Sequence, residues 1–302
     1  MDNCLVTGGA GFIGSHLVDA LIDQGYKVVC VDDLSHGKEE NINPKAKFHK
    51  LDIRSPELIQ LIKQSNIRYV FHTAAQVDVQ TSLREPVEDA GVNIIGTLNL
   101  LEACRSADVK KVIYSSSAAV YGEPQYLPID EEHPVNPCSG YGVSKYSAEL
   151  YLRLYQQQYG LDFTILRYAN VYGPRQDATA DGGVVAIFSD LLAKRQSPVI
   201  YGDGEQTRDF IYVGDVVNAN LAAMQRAGGQ VLNVSTGQAT SINTLCALLL
   251  ELTGQDCRPV NEAPKPGDIR HNYLSVNKAA HALDWQPRYS LQAGLRQAVK
   301  VD

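Results

Sequence analysis

Glycines at positions 8, 11 and 14, in the stretch CLVTGGAGFIGSHLVDALIDQGYKVVCVDD, stand between a short β-branched run and a helix-patterned segment. No other feature restricts the fold so strongly. Without side chains at these points a strand can turn tightly into a helix, and backbone N–H groups can come close to a pyrophosphate. The phosphate then sits at the positive end of the helix that begins near Phe12. Gly8, Gly11, Phe12, Ile13 and Gly14 are the expected contacts. A glycine-rich turn alone is equally compatible with an accident of composition. Asp32 shifts the balance, because it closes the next strand-like run 18 residues after Gly14. A carboxylate there accepts hydrogen bonds from a ribose 2′-OH and repels a 2′-phosphate. No arginine stands beside it, so NAD is expected rather than NADP. Asp52 and Ile53, after the third strand, are placed to contact adenine, although Asp52 also fits a loop acid that starts a helix.

The rest of the first half keeps one rhythm. Strand patterns at 4–6, 27–31, 48–50, 69–72, 111–115 and 163–167 alternate with helix patterns at 12–24, 57–64, 92–105 and 142–159. Parallel strands need such crossovers, and right-handed crossovers give a doubly wound parallel sheet of the Rossmann type. After Gly173-Pro174 the rhythm breaks, and a seventh strand is expected only at 231–234. The expected organisation is α/β, with a second, smaller and discontinuous α/β substrate domain. Residues 1–173 plus 208–236 form the nucleotide-binding part, and 174–207 plus 237–302 the other. Leu291, Leu295 and Val299, at helical spacing, predict an ordered C-terminal helix.

The net charge of −7 leaves no basic excess for displacing phosphate counterions, so no nucleic-acid partner is expected. The longest apolar stretch, 245–252, is far short of a membrane span. The chain enters a strand pattern almost directly after Met1, so no signal peptide is expected. Its six cysteines show no C-x-x-C pair. Reduced thiols, a cytoplasmic setting and no metal site follow as expectations.

The stretch from Ser115 to Lys145 raises the question of chemistry. Tyr141 and Lys145 are four apart, one turn on the same helix face. A tyrosine is too weak an acid to act as a base near neutrality, at a pKa of ~10. A neighbouring ammonium and a positively charged nicotinamide ring both favour the phenolate. The lysine can also hold the nicotinamide ribose, and serines at the end of a parallel strand can hold or pass the proton. Taken alone, the pair also fits a surface neighbour contact. Beside the glycine turn and Asp32, the proton-transfer reading prevails. His72, ending an apolar strand, reads as a core residue, and Lys38 as part of a solvated loop.

Together, TGGAGFIGSH, HTAAQVDV, SSSAAVYG, YGVSK, RYANVYGPRQ and GDGEQTRDFIYVGDVV resemble the extended short-chain dehydrogenase/reductases of the NAD-dependent epimerase/dehydratase type. The nearest resemblance is to the UDP-glucose (UDP-galactose) 4-epimerase group, over residues 3 to about 290. That resemblance implies a triad of Ser117, Tyr141 and Lys145, with Thr73, Ala74, Ala75 and Asn93 at the cofactor. It also implies a UDP-sugar bound by Ser117, Asn170, Tyr201, Arg208 and Asp268, and a homodimer built on the helices at 92–105 and 142–159. Arg208 has an independent case, since a guanidinium forks onto phosphate oxygens; a salt bridge to Asp209 or Glu205 is the plainer role.

The implied reaction is 4-epimerisation of a UDP-hexose through a transient 4-keto sugar, with no net redox change. A 4,6-dehydratase of this kind carries an Asp-Glu pair where Ala118 and Ala119 stand, and these cannot exchange protons. UDP-uronic acid 4-epimerase or decarboxylase is an alternative, weakened by Asn170, which is typically threonine in the uronate epimerases. A dehydrogenase or reductase that releases NADH would use the same triad. Asn272 stands where some members carry a bulky tyrosine, which leaves room for an N-acetyl group. Lys265 replaces a frequent arginine, and Arg270 is a substitute for it.

Overall fold

The computed structural model describes residues 2–179, 183–265 and 267–299. Its centre is a seven-stranded parallel sheet. The strands are β1 (Asn3–Thr7), β2 (Lys27–Asp32), β3 (Lys47–Lys50), β4 (Ile67–His72), β5 (Lys111–Ser117), β6 (Asp162–Tyr168) and β7 (Gln230–Val234). They lie in the order β7-β6-β5-β4-β1-β2-β3. The order reverses between β1 and β4, and a crevice for ligands opens at such a switch point beyond the strands' carboxyl ends.

Alternation along the strands sorts side chains onto two cores. Cys4, Val6, Val28, Cys30, Tyr69 and Phe71 face one side, with Leu17, Val18 and Leu21 of α1 (Phe12–Asp23). Leu5, Val29, Val31 and Val70 face the other side. There they pack on Leu58 and Ile62 of α2 (Glu57–Gln64) and on Leu100, Leu101 and Cys104 of α3 (Thr97–Ser106). Ala148 and Leu152 of α4 (Gly140–Tyr159) complete that layer. Because both faces are covered, the strands read as continuous apolar runs rather than as alternating ones. On the first side α1 meets α5 (Val213–Ala223) through Val216, Ala219 and Ala223.

A separate core gathers Phe188 and Leu192 of the helix Val184–Ala193, Ile200, and Leu245 and Leu249 of the helix Ile242–Thr253. Leu295 of the helix Leu291–Ala298 joins it, with Val299 buried just beyond. The C-terminal helix is therefore present, although 300–302 lie outside the described residues.

One expected element differs. The helix predicted over 92–105 is α3 preceded by a π-helical segment, Gly91–Gly96, which continues from a short helix, Pro86–Ala90. The wider turn turns Asn93 inward, where it is 2% exposed. Such segments recur near functional sites.

Candidate active site

Beyond the carboxyl ends of β1, β2, β4 and β5 lies a groove of about 340 Å³, within the range of small-molecule sites. Gly8, Gly11, Phe12, Ile13, Gly14, Asp32, Asp52, Ile53, Thr73, Ala74, Ala75, Tyr141 and Lys145 all line it. Residues more than a hundred positions apart in the chain thus converge on one wall.

The glycine turn is sterically obligatory. A Cβ on Gly14 would lie 2.0 Å from the Gly8 carbonyl oxygen, and Gly8 itself has φ +70° with Ala74 N 2.7 Å from a Cβ. At Gly11 a Cβ would meet only the Gly8 carbonyl, at 3.2 Å. Among the described residues no side chain caps the start of α1. Its first N–H groups are therefore available to an anion in the groove. Asp32 is buried, accepting from Ala10 N (2.9 Å) and Leu34 N (2.8 Å). Burial pushes its pKa up, while those backbone N–H groups hold it down. A dinucleotide needs an anion cradle at a helix start and an acid at the next strand end, and both are here. The residues fit NAD.

Asp52 accepts from Arg54 through Oδ2 (2.9 Å from Nε, 2.7 Å from Nη2) and Oδ1 (3.1 Å from Nε), and Arg54 reaches Glu88 at 2.8 Å. The Arg54 guanidinium holds the Asp52 carboxyl below its ordinary range. Lys38 is exposed on a loop, as expected, and in addition pairs with Asp177 at 3.0 Å, and both line the groove. The sequence gives no sign of this, because Asp177 lies on a segment 139 residues away.

Tyr141 and Lys145 stand at the start of α4. Ser139 caps that helix by accepting from Gly142 N (3.1 Å), which fixes the turn carrying Tyr141. Lys145 is 3% exposed, its Nζ 4.6 Å from the centre of the Tyr114 ring. Burial pushes its pKa down to about 7, with Glu149 and then Asp89 acting in the opposite direction.

Below the pair, Glu149 is fully buried. It accepts from the Ser116 hydroxyl (2.6 Å) and pairs with Arg167 on β6 through Nε (2.9 Å) and Nη2 (2.6 Å). Arg167 also lies 4.7 Å from the centre of the Tyr121 ring. The sequence reading missed this pair, although Glu149 continues the spacing of Tyr141 and Lys145 by one more turn.

The serines divide their tasks. Ser115 meets the Tyr168 hydroxyl (3.0 Å), Ser116 serves Glu149, and Ser117 ends β5 half-buried, accepting from Ala119 N (3.2 Å). Ser115 and Ser116 line the groove whereas Ser117 lies beyond its lining. Asn93 is likewise outside that lining, donating to Gln76 O (2.9 Å) and accepting from Gln76 N (2.9 Å).

His72 is a core residue, as expected. Thr97 spends its hydroxyl proton on the Asn93 carbonyl (2.6 Å), so His72 Nε2 donates to Thr97 (2.9 Å) and Nδ1 accepts from Thr7 (2.8 Å). Desolvation, with Lys145 adding to it, holds its pKa down at about 3.

The residues expected at a UDP-sugar form a second cluster. Arg208 donates to the carbonyls of Thr207 (2.8 Å) and Ile269 (2.7 Å), and pairs with Asp268 rather than with Asp209 or Glu205. Lys265 sits 4.1 Å from the Tyr201 ring centre, and Arg270 is engaged with Asp203 (2.6 Å). Asp209 is fully buried and ties three segments together. It accepts from Thr236 N (2.9 Å), Gly237 N (3.0 Å) and Leu274 N (3.3 Å). Its carbonyl receives Asn170 N (2.9 Å), so Asn170 is docked beside Arg208.

Comparison with known proteins agrees with this geometry. Residues 4–235 match the model of the NAD dependent epimerase/dehydratase family. A putative UDP-glucose 4-epimerase of Methanocaldococcus jannaschii is 47% identical, the match covering 98% of this chain and 96% of that protein. The UDP-glucose 4-epimerase of Thermotoga maritima, solved with UDP-glucose, superposes with a TM-score of 0.97 at 48% identity, covering 99% of this chain and 98% of that one. A UDP-N-acetylglucosamine 4-epimerase of Methanobrevibacter ruminantium, in complex with UDP-N-acetylmuramic acid, has a TM-score of 0.95 at 40% identity, covering 99% and 97%.

Proposed function

Since the chain belongs to the NAD-dependent epimerase/dehydratase family, we propose that it is a UDP-sugar 4-epimerase, an isomerase that interconverts UDP-glucose and UDP-galactose. The observation that carries this reading is the placing of Tyr141 and Lys145 on one groove wall with Asp32 and the glycine turn. NAD, when bound, supplies the oxidant that removes a hydride from C4 of the sugar and returns it. Gly8 to Gly14 hold the pyrophosphate, Asp32 a ribose, and Lys145 the nicotinamide ribose. Tyr141, as phenolate, takes the proton of the sugar 4-OH while Ser117 holds that hydroxyl in line. Asn170, Arg208, Tyr201 and Asp268 hold the UDP, so that the keto sugar can turn about its bond to the diphosphate and present its other face. In this reading residues 1–173 plus 208–236 serve the cofactor, and 174–207 plus 237–302 the nucleotide sugar.

The test is Tyr141→Phe. It should abolish conversion of UDP-galactose and leave NAD binding intact; retained turnover would mean that the base is misassigned. Steady release of NADH from the unaltered enzyme would instead indicate a dehydrogenase.

We assign the N-acetylated UDP-hexoses to the substrate range as well. Asn272 is a modest side chain whose backbone N–H donates to Thr207 O (3.1 Å), next to Arg208, and the M. ruminantium relative is a UDP-N-acetylglucosamine 4-epimerase. An assay with UDP-N-acetylgalactosamine decides this, and no detectable turnover would end it. The proposal includes a homodimer, supported by exposed apolar side chains at Ile95, Val143, Leu150 and Leu154, and a cytoplasmic setting, supported by free cysteines.

A further inference from the structure

Lys145 and Asp89 are both buried, yet neither takes part in a salt bridge among the described residues. A buried charge without a partner is costly, and a fold normally meets it with an opposite charge or neutralises it. Asp89 belongs to the helix Pro86–Ala90, just before the π-helical segment. Its Oδ1 accepts from Gln76 Nε2 (2.9 Å) and Asn93 Nδ2 (3.2 Å), both uncharged donors. Asn93 Nδ2 is also 3.0 Å from the hydroxyl of Ser144, the neighbour of Lys145. One hydrogen-bonded chain therefore joins the acid, the loop after β4 and the helix that bears the reacting pair.

We propose that Asp89 is a positioning residue for the reaction, the buried counter-charge that keeps Lys145 an ammonium and is held near it through Asn93 and Ser144. This deepens the epimerase reading and rests on it for the role of Lys145. Lys145 Nζ lies over the ring of Tyr114 on β5, Tyr141 and Glu149 share its helix, and the further groups whose charges interact with it are His72 on β4 and Asp89 on the helix 86–90. His72 is uncharged in its threonine bridge, and Glu149 is matched by Arg167. Among the described residues, Asp89 is the remaining acid acting on Lys145 that has no salt bridge. Lys145 is driven toward neutrality first by burial, and Glu149 and Asp89 oppose that drive.

The experiment follows the Cε resonance of Lys145 with pH in the full chain carrying ¹³C-labelled lysine, the signal identified by its loss in Lys145→Met. Asp89→Asn keeps the shape and an acceptor for both amide donors. Its Lys145 midpoint should fall by about half a pH unit or more, as expected on losing a nearby opposite charge. The alkaline limb of kcat should move the same way. An unmoved midpoint in a folded variant overturns the proposal, and so does a uniform drop in kcat without a shifted limb. Should Asp89→Asn not fold, the coupling is read from the other side, because it is reciprocal. The Asp89 carboxyl resonance must then titrate higher in Lys145→Met than in the unaltered chain, and an unchanged midpoint overturns the proposal. The titrations need no substrate, so failure to turn over UDP-sugars would sink the epimerase reading alone.

Discussion

Lys145 illustrates what burial does to a single side chain. Its folded pKa, about 7, lies below its ordinary value of 10.5. Below pH 7 both folded and unfolded chains carry the proton, and the full cost of burying the ammonium is felt. As pH rises from 7 toward 10.5 the folded chain sheds the proton while the unfolded chain keeps it, so that cost is relieved. Lys145→Met, stripped of cofactor, should therefore be more stable than the unaltered protein at pH 6–7, with the advantage shrinking by pH 10. Urea midpoints of both across that range check it; a constant difference would mean that Lys145 is not dehydrated as described. The Tyr141–Lys145 pair was legible because helix periodicity alone puts the two on one face. Asp89, Glu149 and Arg167 were not, since a charged residue in a sequence reads as solvent-facing until its partner in another element is known.

Elements are joined by such partners. Arg167 on β6 and Glu149 on α4 are 2% and 0% exposed as side chains and pin the helix to the sheet. Arg167→Met should destabilise the fold by about 3–5 kcal/mol, because it strands a buried carboxylate, whereas Arg167→Met with Glu149→Gln should cost clearly less. Denaturant unfolding of the two variants makes the comparison, and equal losses would refute the pairing as the cause. The glycine turn is an element with even less latitude. Gly14→Ala forces a Cβ against the Gly8 carbonyl, so a loss of about 1–3 kcal/mol and weakened NAD binding are expected, read by unfolding and calorimetry. The strands and their crossovers were readable from β-branched runs and apolar spacing. The π-helical turn at 91–96 was not, for a widened turn leaves the apolar pattern almost unchanged.

For the molecule as a whole, the parallel, doubly wound sheet followed from the alternation of strand and helix, whereas its strand order is seen only in the structure. The short strands of the second core, such as 199–201 and 260–262, which pair with each other, carry too little pattern to be placed from the sequence. Tyr155 settles inward, donating to Glu102 (2.6 Å), while Leu150 and Leu154 remain exposed on the same helix. Leu150→Glu with Leu154→Glu should convert a dimer into a folded monomer in sedimentation velocity. An unchanged sedimentation coefficient would move the interface elsewhere.

Asp209 has a practical consequence for redesign. Since one carboxylate fastens the segments at 236–237 and 274 while its own carbonyl docks Asn170, these stretches behave as a single module. Chimeras that graft only one of them from a relative with another sugar preference would inherit a mismatched joint. Those that transplant the set together would keep it.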